Sequence, residues 1–159
     1  MKYILGLDIS LTSTGYAVCR LDRGKLEVID KGRIRTYASQ PFGVRLMRIK
    51  SRIDILLEIY PIDLIVKEGG FTRGFSTQQI FRAVGVCELA CAEGGHEKIE
   101  EIAPTSVKKY VAGYVKATKE EVALGVMDFV GEMEFESDDV SDAVAVVIAY
   151  LVREGVLKR

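Results

Sequence analysis

Residues 2–18 read KYILGLDISLTSTGYAV, an apolar segment that carries a single acid, Asp8. The run from Ile4 to Leu7 is followed by serine, threonine and glycine, and a second apolar run begins at Tyr16. Short apolar runs separated by turn residues predict a β-hairpin. We therefore expect two antiparallel strands, with Asp8 at the end of the first.

Asp8 has two interpretations. It could face solvent and cap the serine–threonine turn, which is a common use of aspartate. Alternatively it is buried, and a buried acid is costly unless it is paired or bound to a metal ion. In the second case the rest of the chain must supply its partners, and the hairpin alone does not decide between the two.

The chain has 159 residues, a normal length for one domain, and we expect residues 1–159 to form a single domain. Its composition, 48% hydrophobic and 28% charged, is that of a globular protein and excludes a disordered chain. No run reaches the roughly 18 apolar residues that a membrane span needs. The N-terminus leads into a strand rather than a signal peptide. These features predict a cytoplasmic protein without a membrane partner.

The cysteines and the histidine do not indicate a nucleophilic or metal site. Cys19, Cys87 and Cys91 form no C-x-x-C pair, so we expect reduced, buried thiols. His96 is the only histidine. With no serine or cysteine partner beside it, a catalytic triad is not expected.

The net charge of −1 does not by itself predict a nucleic-acid partner. Basic residues nevertheless cluster at residues 33–52 and 108–119. Arg45, Arg48 and Arg52 share helical spacing in the first cluster, and we expect them to form a solvated helix face.

The rest of the chain alternates between strands and helices. We expect a third strand at residues 25–37, bulged at Gly32, and a helix between Pro41 and Pro61. Further strands are expected at residues 62–66 and 98–103, and further helices at residues 77–92, 104–111, 118–130 and 138–154.

Three more acids stand at the ends of predicted elements. Glu68 follows a core strand, and Asp139 and Asp142 lie three residues apart on one side of the last helix. Acids at a helix N-terminus also complement its dipole, but that does not explain acids at strand ends. Carboxylates gathered at one place repel unless cations lie between them. Because Mg²⁺ prefers oxygen ligands, metal-activated hydrolysis of a phosphodiester is the expected chemistry.

Four motifs occur in order along the chain: the apolar strand and hairpin at residues 4–18, an acid followed by an aromatic at residues 68–71, Lys108 with Lys119, and D-x-x-D-A at residues 139–143. In this order they resemble the RuvC-type Holliday junction resolvases. The resemblance covers nearly the whole chain. It implies an α/β, ribonuclease H-like fold with a five-stranded mixed sheet, three antiparallel strands followed by two parallel ones, flanked by helices.

The resemblance also implies roles for individual residues. Asp8, Glu68, Asp139 and Asp142 would be catalytic and hold Mg²⁺ or Mn²⁺, two ions per active site; a shift of the third ligand to Asp138 stays open. Lys108 and Lys119 would stabilise charge at the scissile phosphate.

The DNA contacts implied by the resemblance are Phe71, Arg73, Lys108, Lys109 and Lys119. Phe71 would stack on bases near the branch point. The alternatives are a loop phenylalanine packed on the sheet and a solvated helix face for the lysines.

The implied partner is branched DNA, above all a four-way junction, bound by a homodimer. The apolar positions of residues 77–92 spread around more than one face of the predicted helix, so we expect this helix to contribute to the dimer interface. Ile9-Ser10 replaces the Pro-Gly that often follows the first aspartate of the family. This departure suggests a phage-type member that also cuts forks or flaps.

Three other functions fit part of the sequence. One is a junction-binding module without catalysis, and another is a ribonuclease H-like nuclease that acts on other nucleic acid, such as RNA. The hairpin is also similar to that of sugar kinases and actin-like ATPases. Those proteins need a second, duplicated domain, and 159 residues are too few for it.

Overall fold

One mixed sheet organises the molecule. In a computed structural model, which describes the backbone of residues 1–70 and 75–159 and the side chains of residues 1–70 and 77–159, five strands lie in the order β3-β2-β1-β4-β5. The strands are β1 (Lys2–Asp8), β2 (Ser13–Asp22), β3 (Lys25–Arg35), β4 (Leu64–Glu68) and β5 (Glu100–Ile102). The first three pair antiparallel, whereas β4 runs parallel to β1 and to β5. The expected α/β, ribonuclease H-like sheet is confirmed.

Helices cover both faces of the sheet. They are α1 (Phe42–Ile59), α2 (Phe75–Glu93), α3 (Pro104–Ala112), α4 (Lys119–Val130) and α5 (Asp138–Arg153). One core joins alternate residues of β1 and β2 to α3, α4 and α5, and the other joins the intervening residues to α1 and α2. This division follows from the two-residue period of a strand. Within the described residues, no helix is long and apolar enough to cross a membrane.

The helix α5 lies unusually close to the sheet because two strand residues lack side chains. A Cβ on Gly6 would overlap the main-chain carbonyl of Ala143, and one on Gly15 would overlap that of Asp139. A glycine in a strand often marks such a close approach of another backbone. These two positions bring the first turns of α5 against the end of β1.

Two details of the strands differ from the expectation. The expected bulge at Gly32 is wrong: Gly32 pairs regularly with Tyr16, and the register shifts instead at Ile29, opposite Val18 and Cys19. Gly32 is required for another reason, since a Cβ there would lie 2.8 Å from the Tyr16 hydroxyl.

The strand β4 starts later and extends further than the expected residues 62–66. Pairing with β1 begins only where Leu64 meets Ile4. Before that point, Asp63 makes two hydrogen bonds of 2.8 Å with the main chain of Tyr3, donating from its amide and accepting through its carboxylate. Glu68 is therefore the last residue of the strand itself.

The expectation of a solvated Arg45 is wrong. Its side chain is buried, and its guanidinium donates to the hydroxyl oxygens of Thr36 at 2.9 Å and Thr12 at 3.1 Å. Arg45 thereby fastens α1 to the β1–β2 turn and to the segment after β3. Arg48 is exposed, as expected.

The three cysteines are free and buried, as expected. Burial raises the pKa of Cys19 to about 12 and also raises those of Cys87 and Cys91. The thiols therefore stay protonated and act as small apolar residues.

Candidate active site

Two acids lie side by side at the carboxyl edge of the sheet. Leu7 of β1 pairs with Lys67 of β4, so Asp8 and Glu68 are the next residues of two adjacent parallel strands. Neighbouring strands are about 4.8 Å apart. Parallel pairing thus brings together two carboxylates that are 60 residues apart in the chain.

The helices complete a cavity of about 310 Å³ around these acids. Asp142 enters from α5, Lys119 from the first residue of α4, and Lys108 from α3. The cavity is lined by Asp8, Glu68, Pro104, Val107, Lys108, Lys119, Val122 and Asp142. The structure therefore gathers three predicted acids and both predicted catalytic lysines at one place.

Asp8 is the centre of this charge cluster. Burial raises its pKa from 3.8 to about 7, and the carboxylates of Asp142, Glu68 and Asp139 add to the rise in that order. The ammonium group of Lys119 opposes it. The negative charge of Asp8 is therefore unfavourable at this position, and a bound cation would stabilise it.

Glu68 and Asp142 experience the same environment. Loss of hydration raises the pKa of each, while Lys119 lowers both. The Nζ atom of Lys119 lies 3.7 Å from the Oδ2 atom of Asp142, and this neighbour raises the pKa of Lys119. Lys119 therefore remains a cation at the mouth of the acidic cavity.

Asp8 is not needed to cap the turn that follows it. Within that turn Ser10 and Thr14 form the hydrogen bonds: the Ser10 hydroxyl donates to the carbonyl of Ser13 at 2.8 Å, and that of Thr14 donates to the carbonyl of Ser10 at 2.6 Å. In the described part of the chain, no hydrogen bond ties Asp8 to the turn. These contacts favour the interpretation of Asp8 as a clustered acid.

Asp139 lies at the side of the cluster. Its carboxylate accepts a hydrogen bond of 2.6 Å from the Ser13 hydroxyl, and it is not among the residues that line the cavity. Asp139 nevertheless contributes to the raised pKa of Asp8. Asp138 is more exposed than Asp139. The inward, hydrogen-bonded position of Asp139 favours it over Asp138, and the assignment stays a prediction.

The other predicted DNA contacts are not brought into the cavity. Lys109 is exposed, with its ammonium group 5.6 Å from the centroid of the Tyr110 ring. Phe71 and Arg73 lie outside the described residues. Their roles stay predictions.

Sequence reasoning missed Ser13 and Lys67. Nothing in the sequence distinguishes Ser13 from the other serine and threonine residues of the same turn. Lys67 is buried beside Glu68 but projects to the opposite face, where it forms an ion pair of 2.5 Å with Glu101. An apolar strand gives no indication that this lysine is buried.

The donor set fits hard divalent cations. Carboxylate oxygens are the ligands that Mg²⁺ and Mn²⁺ prefer, and the raised pKa of Asp8 marks an acid that lacks a compensating charge. In the described part of the chain, no three acidic, histidine or cysteine side chains are already positioned as one ligand set. The residue types thus fit the ions, while the carboxylates must approach one another to share them.

The raised pKa of Asp8 predicts a pH-dependent stability of the metal-free protein. Between pH 4 and 7 the folded chain retains a proton that the unfolded chain has lost, so the free energy of unfolding falls as the pH rises through this range. Asp8→Asn removes the carboxylate and with it this loss of stability at high pH. In urea unfolding with EDTA, we expect the variant to exceed the wild type by up to about 4 kcal/mol at pH 8 and to match it near pH 4.

Mg²⁺ provides the control for that measurement. A cation bound by the Asp8 carboxylate would stabilise the folded wild type, so the two proteins should differ less in their free energy of unfolding at pH 8 when Mg²⁺ replaces EDTA. If the free energy of unfolding of Asp8→Asn differed from that of the wild type by the same amount at pH 4 and at pH 8, ionisation of Asp8 would not be what destabilises the wild type.

Comparison with known proteins agrees with this geometry. The family model described as "Crossover junction endodeoxyribonuclease RuvC" matches residues 4–150. The protein of that name from Clostridioides difficile is 33% identical over 150 residues, covering 92% of this chain and 88% of the relative. Its counterpart from Dictyoglomus thermophilum is 30% identical, covering 95% of this chain and 97% of the relative.

Solved structures give the same result. "T. thermophilus RuvC in complex with Holliday junction substrate" superimposes with a TM-score of 0.89 at 26% identity, covering 99% of both chains. The fowlpox virus resolvase, at a TM-score of 0.60 and 13% identity, shares the fold. The bacterial relatives do not support the expected phage-type member. The chain belongs to the crossover junction endodeoxyribonuclease RuvC family.

Proposed function

We propose that this chain is a structure-selective endonuclease that nicks four-way DNA junctions by hydrolysing phosphodiesters with the acids of the cavity. Asp8 carries the proposal: loss of hydration and then three other carboxylates raise the pKa of this half-buried acid, which lines the cavity at the end of a core strand. That arrangement costs stability and has no use in packing. It suits a site that binds cations and a phosphate.

Divalent cations complete this site. Asp8, Glu68, Asp142 and Asp139 would hold two Mg²⁺ or Mn²⁺ ions. When bound, such ions activate water and neutralise charge on a phosphoryl oxygen.

The lysines act on the phosphate. Lys119 and Lys108 both line the cavity, so their ammonium groups would hold the scissile phosphate and offset the charge that develops on it. The apolar side chains of Val107 and Val122 narrow the cavity beside them.

Contacts outside the cavity would select the branched substrate. Phe71 would stack on bases near the branch point, and Arg73 and Lys109 would contact the DNA backbone. The four-way junction has two-fold symmetry, which suits a homodimer that nicks opposing strands. The helix α2 exposes Phe81 and Leu89 and is our candidate for the dimer interface.

Residues 1–159 would act as one nuclease domain, since a single sheet carries both cores. Because its relatives are bacterial and its substrate is DNA, we place its action in the cytoplasm.

A panel of substrates tests the proposal. The protein is incubated with a four-way junction, a flap, a fork and a linear duplex of the same sequences, and with an RNA duplex, each with Mg²⁺ or with EDTA. We expect paired, Mg²⁺-dependent nicks in the junction. Binding of the junction without cleavage would indicate a module that lacks catalysis, and preferential cutting of RNA would indicate another type of nuclease.

Lys119→Ala should slow cleavage far more than it weakens binding. The substitution removes a cation from the scissile phosphate, whereas most of the binding energy comes from other backbone contacts. We expect a fall of roughly 100-fold in the single-turnover rate at saturating protein and a change of only a few-fold in Kd. Lys116→Ala, three residues away and exposed, is the matched control. A variant that mainly loses affinity would argue against a catalytic role.

A further inference from the structure

A second cavity, of about 450 Å³, lies at the outer edge of the sheet. It is bounded by β3, by α1 and by the segment that precedes α5. Its lining residues include Tyr16, Lys31, Arg33, Arg48, Arg52 and Glu136. Four of these six side chains are cationic and one is acidic, so the cavity favours an anion.

Two of the four cations, Arg52 and Lys31, are held in place by the protein. The Nη2 atom of Arg52 donates to the Tyr16 hydroxyl at 2.6 Å, and its guanidinium lies 5.2 Å from the centroid of the Tyr16 ring. The Nζ atom of Lys31 donates to the carbonyl of Glu134 at 2.9 Å. Because these contacts fix the side chains before a ligand arrives, less conformational entropy is lost on binding.

Glu136 would compete with an incoming anion for Arg33. The Nε atom of Arg33 lies 2.7 Å from the Oε1 atom of Glu136, which is 56% exposed, whereas Arg33 is 25% exposed. An exposed ion pair of this kind is worth little and exchanges easily. Arg48 is exposed and has no acid partner within the described residues. An incoming anion would therefore meet Arg48 directly and displace Glu136 from Arg33.

The strand register places this cavity near the catalytic acids. Asp8 pairs with Gly15, and Gly15 pairs with Arg33. Paired residues project to the same face of a sheet, and each step between strands is about 4.8 Å. The Cα atoms of Arg33 and Asp8 are thus roughly 10 Å apart, at the same end of the sheet. Phosphates of one DNA strand are spaced about 3.4 Å along the helix axis, so a backbone cleaved at Asp8 has other phosphates within reach of Arg33.

We infer that this edge cavity binds a non-scissile phosphate of the DNA backbone through Arg33, Arg48 and Arg52, and that Glu136 occupies Arg33 until DNA displaces it. The inference rests on the proposed function and adds a subsite to it. It assigns Arg48 and Arg52 of α1 a partner, where the sequence alone indicated a solvated face. It also explains how a chain with a net charge of −1 attracts a polyanion locally.

Two exposed positions test the subsite without disturbing the fold. Binding of a four-way junction is measured in EDTA by fluorescence anisotropy over a range of salt concentrations. We expect Arg48→Ala to raise Kd by roughly 5- to 10-fold at low salt and to reduce the slope of log K against log salt by about 1. Glu136→Gln should lower Kd by a few-fold, because it removes the competing carboxylate. Lys25→Ala is the matched control: it lies on the same strand, eight residues or roughly 27 Å from Arg33.

The saturating single-turnover cleavage rate separates this inference from the proposed function. Lys25→Ala should leave both that rate and Kd unchanged, whereas the effect of Arg48→Ala is read on Kd. A wild type that binds junctions without cutting them, together with the Kd shifts above, would support the subsite and overturn the nuclease. An unchanged Kd in Arg48→Ala and Glu136→Gln, a loss equal to that of Lys25→Ala, or a wild type that binds no junction would overturn the subsite.

Discussion

Asp8→Asn should reduce the cleavage of a four-way junction by at least about 1,000-fold, which corresponds to about 4 kcal/mol of transition-state stabilisation. Asparagine keeps the shape of the side chain but removes its charge from the centre of the acid cluster, where Glu68, Asp139 and Asp142 surround it. The ions that these carboxylates would hold lose their central ligand. Binding of the junction should not weaken, because a negative charge has been removed rather than added.

Single-turnover cleavage at saturating protein, with Mg²⁺, measures this effect, and anisotropy in EDTA measures binding. Asp22→Asn is the matched control, since Asp22 is an exposed aspartate at the opposite end of the sheet, at the end of β2. If Asp8→Asn cut within ten-fold of the wild-type rate, Asp8 would not be a catalytic acid.

Gly15→Ala should destabilise the protein by about 1–3 kcal/mol, the typical cost of overpacking, and also slow cleavage. The new Cβ would overlap the carbonyl of Asp139 and the main chain next to it. Because backbone atoms cannot rotate away as a flexible side chain does, α5 must shift from the sheet. That shift moves Asp139 and Asp142 away from Asp8, so a single methyl group should affect both folding and the active site.

Urea unfolding of Gly15→Ala and of Gly43→Ala measures the first effect, with the slope m checked for constancy. A Cβ on Gly43, in the first turn of α1, would meet no atom within 4 Å. That control should therefore be neutral or gain up to about 1 kcal/mol. Equal stabilities for the two variants would contradict the close packing of α5 at Gly15.

The sequence predicted the strands and the acids at their ends for a physical reason, whereas the five-stranded mixed sheet was implied by the family resemblance. Asp8 and Glu68 each end an apolar strand, and parallel strands place such ends at one edge. Thr118 and Glu121 have the spacing of a capping box, and the structure contains both of its hydrogen bonds. These features depend on residues that are close together in the chain.

Features that depend on distant contacts could not be predicted. The burial of Arg45 results from two threonines on other elements. The hydrogen bond from Ser13 to Asp139 joins residues 126 positions apart. Helical spacing likewise placed Arg48 and Arg52 on α1 without showing that Arg33 of β3 completes their cavity.

The central claim is that four acids from three segments form one catalytic centre. Its most direct test is the single-turnover rate of junction cleavage for Asp139→Asn beside Asp138→Asn, two substitutions of adjacent residues with the same change in charge. We expect a fall of at least about 1,000-fold for Asp139→Asn and a rate within a few-fold of the wild type for Asp138→Asn. Wild-type cleavage by Asp139→Asn, or equal inactivation by both, would contradict the account.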